Sequence, residues 1–175
     1  MRALLVANQN ATAMTPRKRD VIVSALGSEL KIDVAETNSR GHAADLAEQA
    51  RRDGFDLVVA IGGDGTVNEV VTGLLRAGVG PDTPRLAVVP AGNANVFARA
   101  LGLPAEAIEA TGDVIERLRA GRERRIGLGT LVAGDVHRWF TFCAGFGLDA
   151  EIVGAVERRR VAGAKATPAL FMRTG

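Results

Sequence analysis

The sequence predicts an α/β fold, a mainly parallel sheet with helices on both faces, followed by the start of a second, β-rich domain. Three observations carry this. Residues 3–7, 57–61 and 86–89 are short apolar runs that read as strands, and 57–61 reads as one buried on both faces, typical of a parallel sheet. Amphipathic stretches lie between such runs, clearest where Val67, Val70, Val71, Leu74 and Leu75 repeat at helical spacing. After Gly121 the alternation of strand and helix stops. Residues 126–132 and 136–143 then read as two strands around Gly134-Asp135, an antiparallel hairpin.

Taken in order, residues 3–7 form the first strand, closed by the polar Asn8-Gln9-Asn10. Thr15-Pro16 opens a helix, with Thr15 as cap and Pro16 in the first turn, where a missing N–H costs nothing. Gly27 ends that helix after Leu26. Leu30, Ile32 and Val34 alternate with polar neighbours in a second strand that ends near Glu36-Thr37. Gly41-His42 opens a helix with Ala43, Leu46, Ala47 and Ala50 on one side. After the third strand and its helix, residues 78–84 make a turn-forming linker to the fourth strand, which Pro90 closes. Pro104 then begins a helix with Ile108, Thr111, Ile115 and Leu118 inward and Gly121 as terminator. The expected domains are 1–122, an α/β domain, and 123–175, the beginning of a second, β-rich domain.

Composition narrows the function classes. At 175 residues, with 47% hydrophobic and 24% charged residues, the chain suits one globular domain or one domain plus a piece. A net charge of +2 implies no strong field toward nucleic acid. Basic residues do cluster at 17–19, 117–125 and 158–160, which read as solvated faces; the second run is also suited to an anionic lipid surface. The lone Cys143 excludes an internal disulfide and reads as a core residue in a reducing compartment. Residues 3–7 are too short for a signal-peptide core, and no apolar run approaches membrane-span length, so a cytoplasmic protein is expected.

The chemistry concentrates between the third strand and its helix, at Gly62-Gly63-Asp64-Gly65. A buried strand, a glycine turn and a helix N-terminus in that order make an anion site. Backbone N–H groups converge there uncrowded, and the helix dipole favours negative charge. The loop has no lysine of the G-x-x-x-x-G-K-[ST] kind, and a dinucleotide pattern begun at Gly63 would put its third glycine on Asn68. Gly62, Gly63 and Gly65 suit a phosphate cradle, and Thr66 suits a hydroxyl donor to it. Asp64 suits either a divalent ion beside phosphates or a plain turn, and Asn68 either the bound ligand or the order of the loop. Thr66 and Glu69 also have the spacing of a capping box, which would close the helix without any ligand.

Residues 62–69, Gly-Gly-Asp-Gly-Thr-Val-Asn-Glu, resemble the hallmark of the diacylglycerol and sphingosine kinase-like lipid kinases. NAD kinases and phosphofructokinases share Gly-Gly-Asp-Gly but usually not the Asn-Glu continuation. Two further segments are similar to the family in the right order. Thr37 stands four residues before Gly41-His42-Ala43, and Pro90, Gly92, Asn95, Phe97, Ala98 and Arg99 match a second loop. Asn8 matches the asparagine after the first strand, but Gln9 replaces the family's proline, while Asn93 and Val96 replace a threonine and an aspartate. Val96 cannot take any metal or ion-pair role of that aspartate. Residues 142–149 also resemble a segment of the family's second domain, an antiparallel β-sandwich of which only the opening would lie here.

The resemblance implies ATP-dependent transfer of a phosphoryl group to a lipid hydroxyl, diacylglycerol or a related lipid, with Mg²⁺. It implies a nucleotide site at Asn8, Thr37, Gly62, Gly63, Asp64, Gly65, Thr66, Asn68, Gly92 and Asn93, with Thr37 on the adenosine side and Asp64 as the metal ligand. No catalytic residue is assigned: the family's proposed base comes from late in the second domain, and no match to that segment is present. The partners implied are ATP and a lipid at a membrane surface, with the protein cytoplasmic or peripheral at the inner membrane face. A homodimer is compatible with this and nucleic acid is not expected. The alternatives are an NAD kinase-like soluble kinase and a non-catalytic nucleotide-binding module.

Overall fold

The computed structural model describes residues 1–9, 11, 13–134 and 136–161. Asn10 of the first polar turn, Asp135 of the hairpin turn and residues 162–175 lie outside this set, as do the side chains at 159 and 160 of the third basic run. Two compact units divide the chain, Met1–Phe142 and Cys143–Gly175.

The first unit is built on four strands, β1 (Arg2–Asn8), β2 (Lys31–Thr37), β3 (Leu57–Gly62) and β4 (Arg85–Pro90). They run parallel in the order β2-β1-β3-β4. The expected mainly parallel sheet is therefore present. Its central strand β3 is buried throughout, which is why its sequence is an unbroken apolar run. Strand β2 lies at an edge, and Val34 stays exposed although Leu30, on the same side, is buried.

Helices cover both faces. On one, α1 (Pro16–Gly27) and α5 (Ala107–Arg119) set Ile22, Leu26, Ala107 and Val114 against Ala3, Leu5, Val59, Ile61 and Val89. On the other, α2 (His42–Arg52), α3 (Asp64–Leu74) and α4 (Val96–Ala100) set Ala43, Ala47, Val67, Val70 and Phe97 against Val6, Val58, Ala60 and Val88. Burying one such Leu, Val or Phe contributes about 1.5–3 kcal/mol. Helix α1 begins as expected: the Thr15 hydroxyl accepts the Lys18 N–H at 3.2 Å and Pro16 sits in the first turn.

Two expectations about helices are corrected. Helix α5 starts at Ala107, not Pro104, because the Glu106 carboxylate caps it by accepting the N–H groups of Ile108 (2.6 Å) and Glu109 (3.2 Å). Its buried face is Ala107, Ala110, Thr111 and Val114, which leaves Ile108 exposed rather than inward. Helix α3 starts at Asp64 with Gly63 as its cap residue, so Thr66 is its third residue rather than its cap, and no Thr66–Glu69 capping box exists.

An antiparallel hairpin of β5 (Gly129–Ala133) and β6 (Val136–Phe140) follows, shorter at both strands than the sequence suggests. It belongs to the same compact unit as the sheet, Met1–Phe142. Leu128, just before β5, packs against the apolar core of the α2–α3 face, which ties the hairpin to that unit. In the second unit α6 (Leu148–Val161) is a helix that the sequence pattern does not announce. Cys143 is exposed, not a core residue.

Candidate functional site

In a parallel sheet every strand ends at the same edge, and the chain there turns into a helix. Thr37, Asn8, Gly62 and Pro90 close β2, β1, β3 and β4 at this edge, with Asn8 opposite Thr37 and Gly62 opposite Pro90 in register. The chain steps from β1 outward to β2, then back past β1 to β3. The reversal of direction leaves a crevice between β1 and β3, where ligands of open α/β sheets bind. Asn8 bridges that crevice by donating from Nδ2 to the Thr66 hydroxyl at 3.1 Å. Because Thr66 accepts this bond, its own hydroxyl proton remains to be donated.

The three glycines of the turn differ in what they need. A Cβ on Gly62 would lie 2.7 Å from the Thr66 side chain, so the absence of a side chain there serves packing. A Cβ on Gly63 would lie 3.2 Å from the Gly92 Cα, and one on Gly92 only 2.6 Å from the Gly63 Cα. Gly63 and Gly92 therefore let the turns after β3 and β4 touch backbone to backbone. Gly65 is different: a Cβ there meets nothing within 4 Å, and the residue is exposed. It sits in the first turn of α3, whose N–H groups at residues 64–66 precede the first bond of the helix, donated by Val67 to the Gly63 carbonyl at 3.1 Å.

The polar side chains of residues 62–69 reach three different neighbours. Thr66 meets β1 through Asn8. Asp64 Oδ1 accepts the Phe97 N–H at 3.1 Å and so caps α4. Asn68 meets the hairpin: its Nδ2 donates to the Trp139 carbonyl at 3.2 Å, and its Oδ1 accepts the Thr141 N–H at 3.1 Å. The second loop is held by Asn95, which sequence reasoning matches to the family without giving it a role. Its side chain accepts the Gly92 N–H and donates to the Gly92 carbonyl, both at 2.9 Å. Its backbone is left-handed at φ 46°, a conformation that Asn tolerates better than most residues, and this is the signal that marks the position. Asn93 lies exposed next to this clamp.

A cavity of ≈ 320 Å³ includes Asn8 and is lined by Ala7, Gln9, Met14, Arg19 and Glu36 among others. Glu36 accepts from both Arg19 and Gln9, which closes the β2 side of this cavity with an ion pair. Thr37, one residue on, is buried at the end of β2. The expected site residues thus fall on one edge or in its turns, but Asn68 points across α3 to β6. His42 accepts the Asn38 N–H at 3.2 Å through Nδ1 and serves the α2 start. Among the described residues no group of three or more His, Cys, Asp and Glu converges as a metal site. Asp64 Oδ1 is engaged by Phe97, so Oδ2 is the oxygen this residue offers a divalent ion. That suits Mg²⁺, which takes one or two carboxylates plus phosphate oxygens.

A parallel sheet covered by helices on both faces, with a glycine turn at the crevice between β1 and β3, defines an open α/β protein. Residues 2–131 match the model of the diacylglycerol kinase catalytic domain, and the chain belongs to that family. It is 40% identical over 102 residues to the lipid kinase YegS of Escherichia coli (strain K12), a match that covers 58% of this chain and 33% of YegS. The YegS protein of Shigella flexneri matches to the same extent. The crystal structure of a diacylglycerol kinase from Bacillus anthracis str. Sterne superposes with a TM-score of 0.60 at 29% identity, over 66% of this chain and 40% of that one. The match spans about a third of the length of the curated relatives. Among the described residues no helix is long and apolar enough to cross a membrane.

Proposed function

We propose that the chain is the nucleotide-binding part of an ATP-dependent lipid kinase. The observation that carries this is the open space over Gly65, at the start of α3 and on the crevice between β1 and β3. The nucleotide phosphates lie there against the first-turn N–H groups, in the positive end of the helix dipole. Thr66 donates its hydroxyl to them while Asn8 fixes its rotamer. Gly92, in backbone contact with Gly63, and the adjacent Asn93 complete the nucleotide site in this reading, with Thr37 on the adenosine side. Mg²⁺ neutralises phosphate charge when bound, with Asp64 as its protein ligand.

The acceptor is the hydroxyl of a lipid of the diacylglycerol type, presented at a membrane surface. Family membership and the continuation of the glycine motif by Asn68 and Glu69 support a lipid over a soluble nucleotide. Asp64 and Asn68 are occupied by Phe97 and by β6, and no proton acceptor for the lipid hydroxyl is assigned. The test is phosphorylation with labelled ATP of extracted membrane lipid beside NAD. Label in lipid alone supports the reading. Label in NAD alone replaces it with an NAD kinase, and ATP binding without label in either replaces it with a binding module.

A further inference from the structure

We propose that Asn68 is a positioning residue that docks the β5–β6 hairpin onto the motif helix, not a nucleotide ligand. The inference rests on the kinase reading above for its consequence, and on geometry for the contact itself. Asn68 lies one turn into α3, four residues after Asp64, beyond the first-turn N–H groups. Both ends of its amide are spent on β6 and the residue just after it. Nδ2 donates to the Trp139 carbonyl at 3.2 Å, and Oδ1 accepts the Thr141 N–H at 3.1 Å and the Thr141 hydroxyl at 3.4 Å. Donor and acceptor meet a carbonyl and an N–H two residues apart, as a peptide group of a paired strand would.

The hairpin needs such a partner. Two strands alone are marginal in water, and these are five residues each. Gly129 pairs with Phe140, whose ring occupies the place of a Gly129 side chain: a Cβ on Gly129 would lie only 2.1 Å from the Phe140 Cζ. That packing orders the pair internally but does not place it on α3. Leu128 anchors the hairpin before β5, and Asn68 anchors it at the end of β6. An aspartate would keep the acceptor for Thr141 but lose the donor to Trp139, and an alanine would lose both.

The test uses the whole chain with three readouts. Without nucleotide, Asn68→Ala should speed hydrogen exchange of the Thr141 amide by about 10- to 100-fold, the expected consequence of losing two or three hydrogen bonds in a local opening. It should also raise quenching of Trp139, the chain's single tryptophan. Asn68→Asp should fall between the wild type and Asn68→Ala on both. With nucleotide, ATP affinity and its KM should stay within about twofold of wild type while lipid-dependent kcat drops by at least about tenfold, the pattern of lost positioning. Unchanged Thr141 exchange in both variants would overturn the clamp. Lost ATP affinity with unchanged exchange would make Asn68 a nucleotide ligand, and faster exchange with unchanged kcat would reduce it to a structural contact. A wild type that transfers no phosphate to lipid would remove the kinase reading, and the exchange result would still decide whether Asn68 holds the hairpin.

Discussion

Asp64 Oδ1 accepts the Phe97 N–H at 3.1 Å, so the acidic residue of the turn after β3 caps the helix that follows β4. One side chain joins the two turns that Gly63 and Gly92 bring into backbone contact. Asparagine keeps an acceptor for Phe97 and removes only the charge, whereas alanine removes both.

Asp64→Asn should therefore keep its fold and lose the part of ATP affinity that Mg²⁺ adds. Asp64→Ala should in addition lose about 0.5–2 kcal/mol of stability, the usual cost of a lost helix cap. Thermal melts and ATP titrations with and without Mg²⁺ check both. Equal loss of affinity in the two titrations of Asp64→Asn would mean that Asp64 only shapes the turns.

The glycines separate packing from binding. Gly62→Ala places a methyl 2.7 Å from the Thr66 side chain and should destabilise by about 1–3 kcal/mol, as overpacked positions do. Gly63→Val would press on Gly92, so it disturbs the fold together with any ligand and is a poor probe. Gly65→Ala meets no protein atom within 4 Å and should hold or gain stability, by about 0.4–1 kcal/mol, through a stiffer unfolded chain. Denaturant melts of the pair check the contrast, which fails if Gly65→Ala is the less stable of the two.

Glu106 gives a pH-dependent contribution. Its carboxylate accepts from Lys18 Nζ at 2.8 Å and caps α5, and first the Lys18 bond and then the α5 amides hold its pKa below the ordinary value against some desolvation. A lowered folded-state pKa means stability that is present above the unfolded pKa and lost as pH falls through the folded one. Glu106→Gln should thus lower the melting temperature at neutral pH, and the gap to wild type should close on acidification through the carboxylate range below about pH 4. A gap independent of pH would show that charge plays no part in the cap.

Arg51 ties the end of α3 to the linker before β4. Its guanidinium donates to the carbonyls of Leu74 at 2.9 Å and Gly78 at 2.5 Å, and forks onto both Asp82 oxygens at 2.8 Å, with its side chain 9% exposed. Arg51→Lys should lower the melting temperature because an ammonium cannot serve this fork. Arg52→Lys, at a position whose side chain is 60% exposed, should leave it nearly unchanged. Equal melting of the two variants would refute the latch.

What is legible in the sequence follows from how local each signal is. Strand β3 and the stripe of α3 are written in consecutive residues, and the Thr15-Pro16 start of α1 is a cap whose partners are its own neighbours. The start of α5 is hidden because Pro104 is a stronger local sign than Glu106, an unusual cap supported from 88 residues away by Lys18. The capping box at Thr66 fails because β3 delivers the chain so tightly that the helix begins at Asp64, with Thr66 turned to Asn8. The site residues are legible as residue types at one spacing. That Asp64, Asn68 and Asn95 are spent on Phe97, β6 and Gly92 depends on non-local folding, or on a left-handed backbone at Asn95, and no spacing in the sequence carries it.

Calorimetric titration of ATP into wild type and Gly65→Val, each with and without Mg²⁺, tests the phosphate site most directly. Saturable binding to wild type, strengthened by Mg²⁺ and lost in a folded Gly65→Val, is the predicted result, because the new side chain fills space that no protein atom uses. Equal affinity in the two proteins, or no binding to wild type, would contradict it.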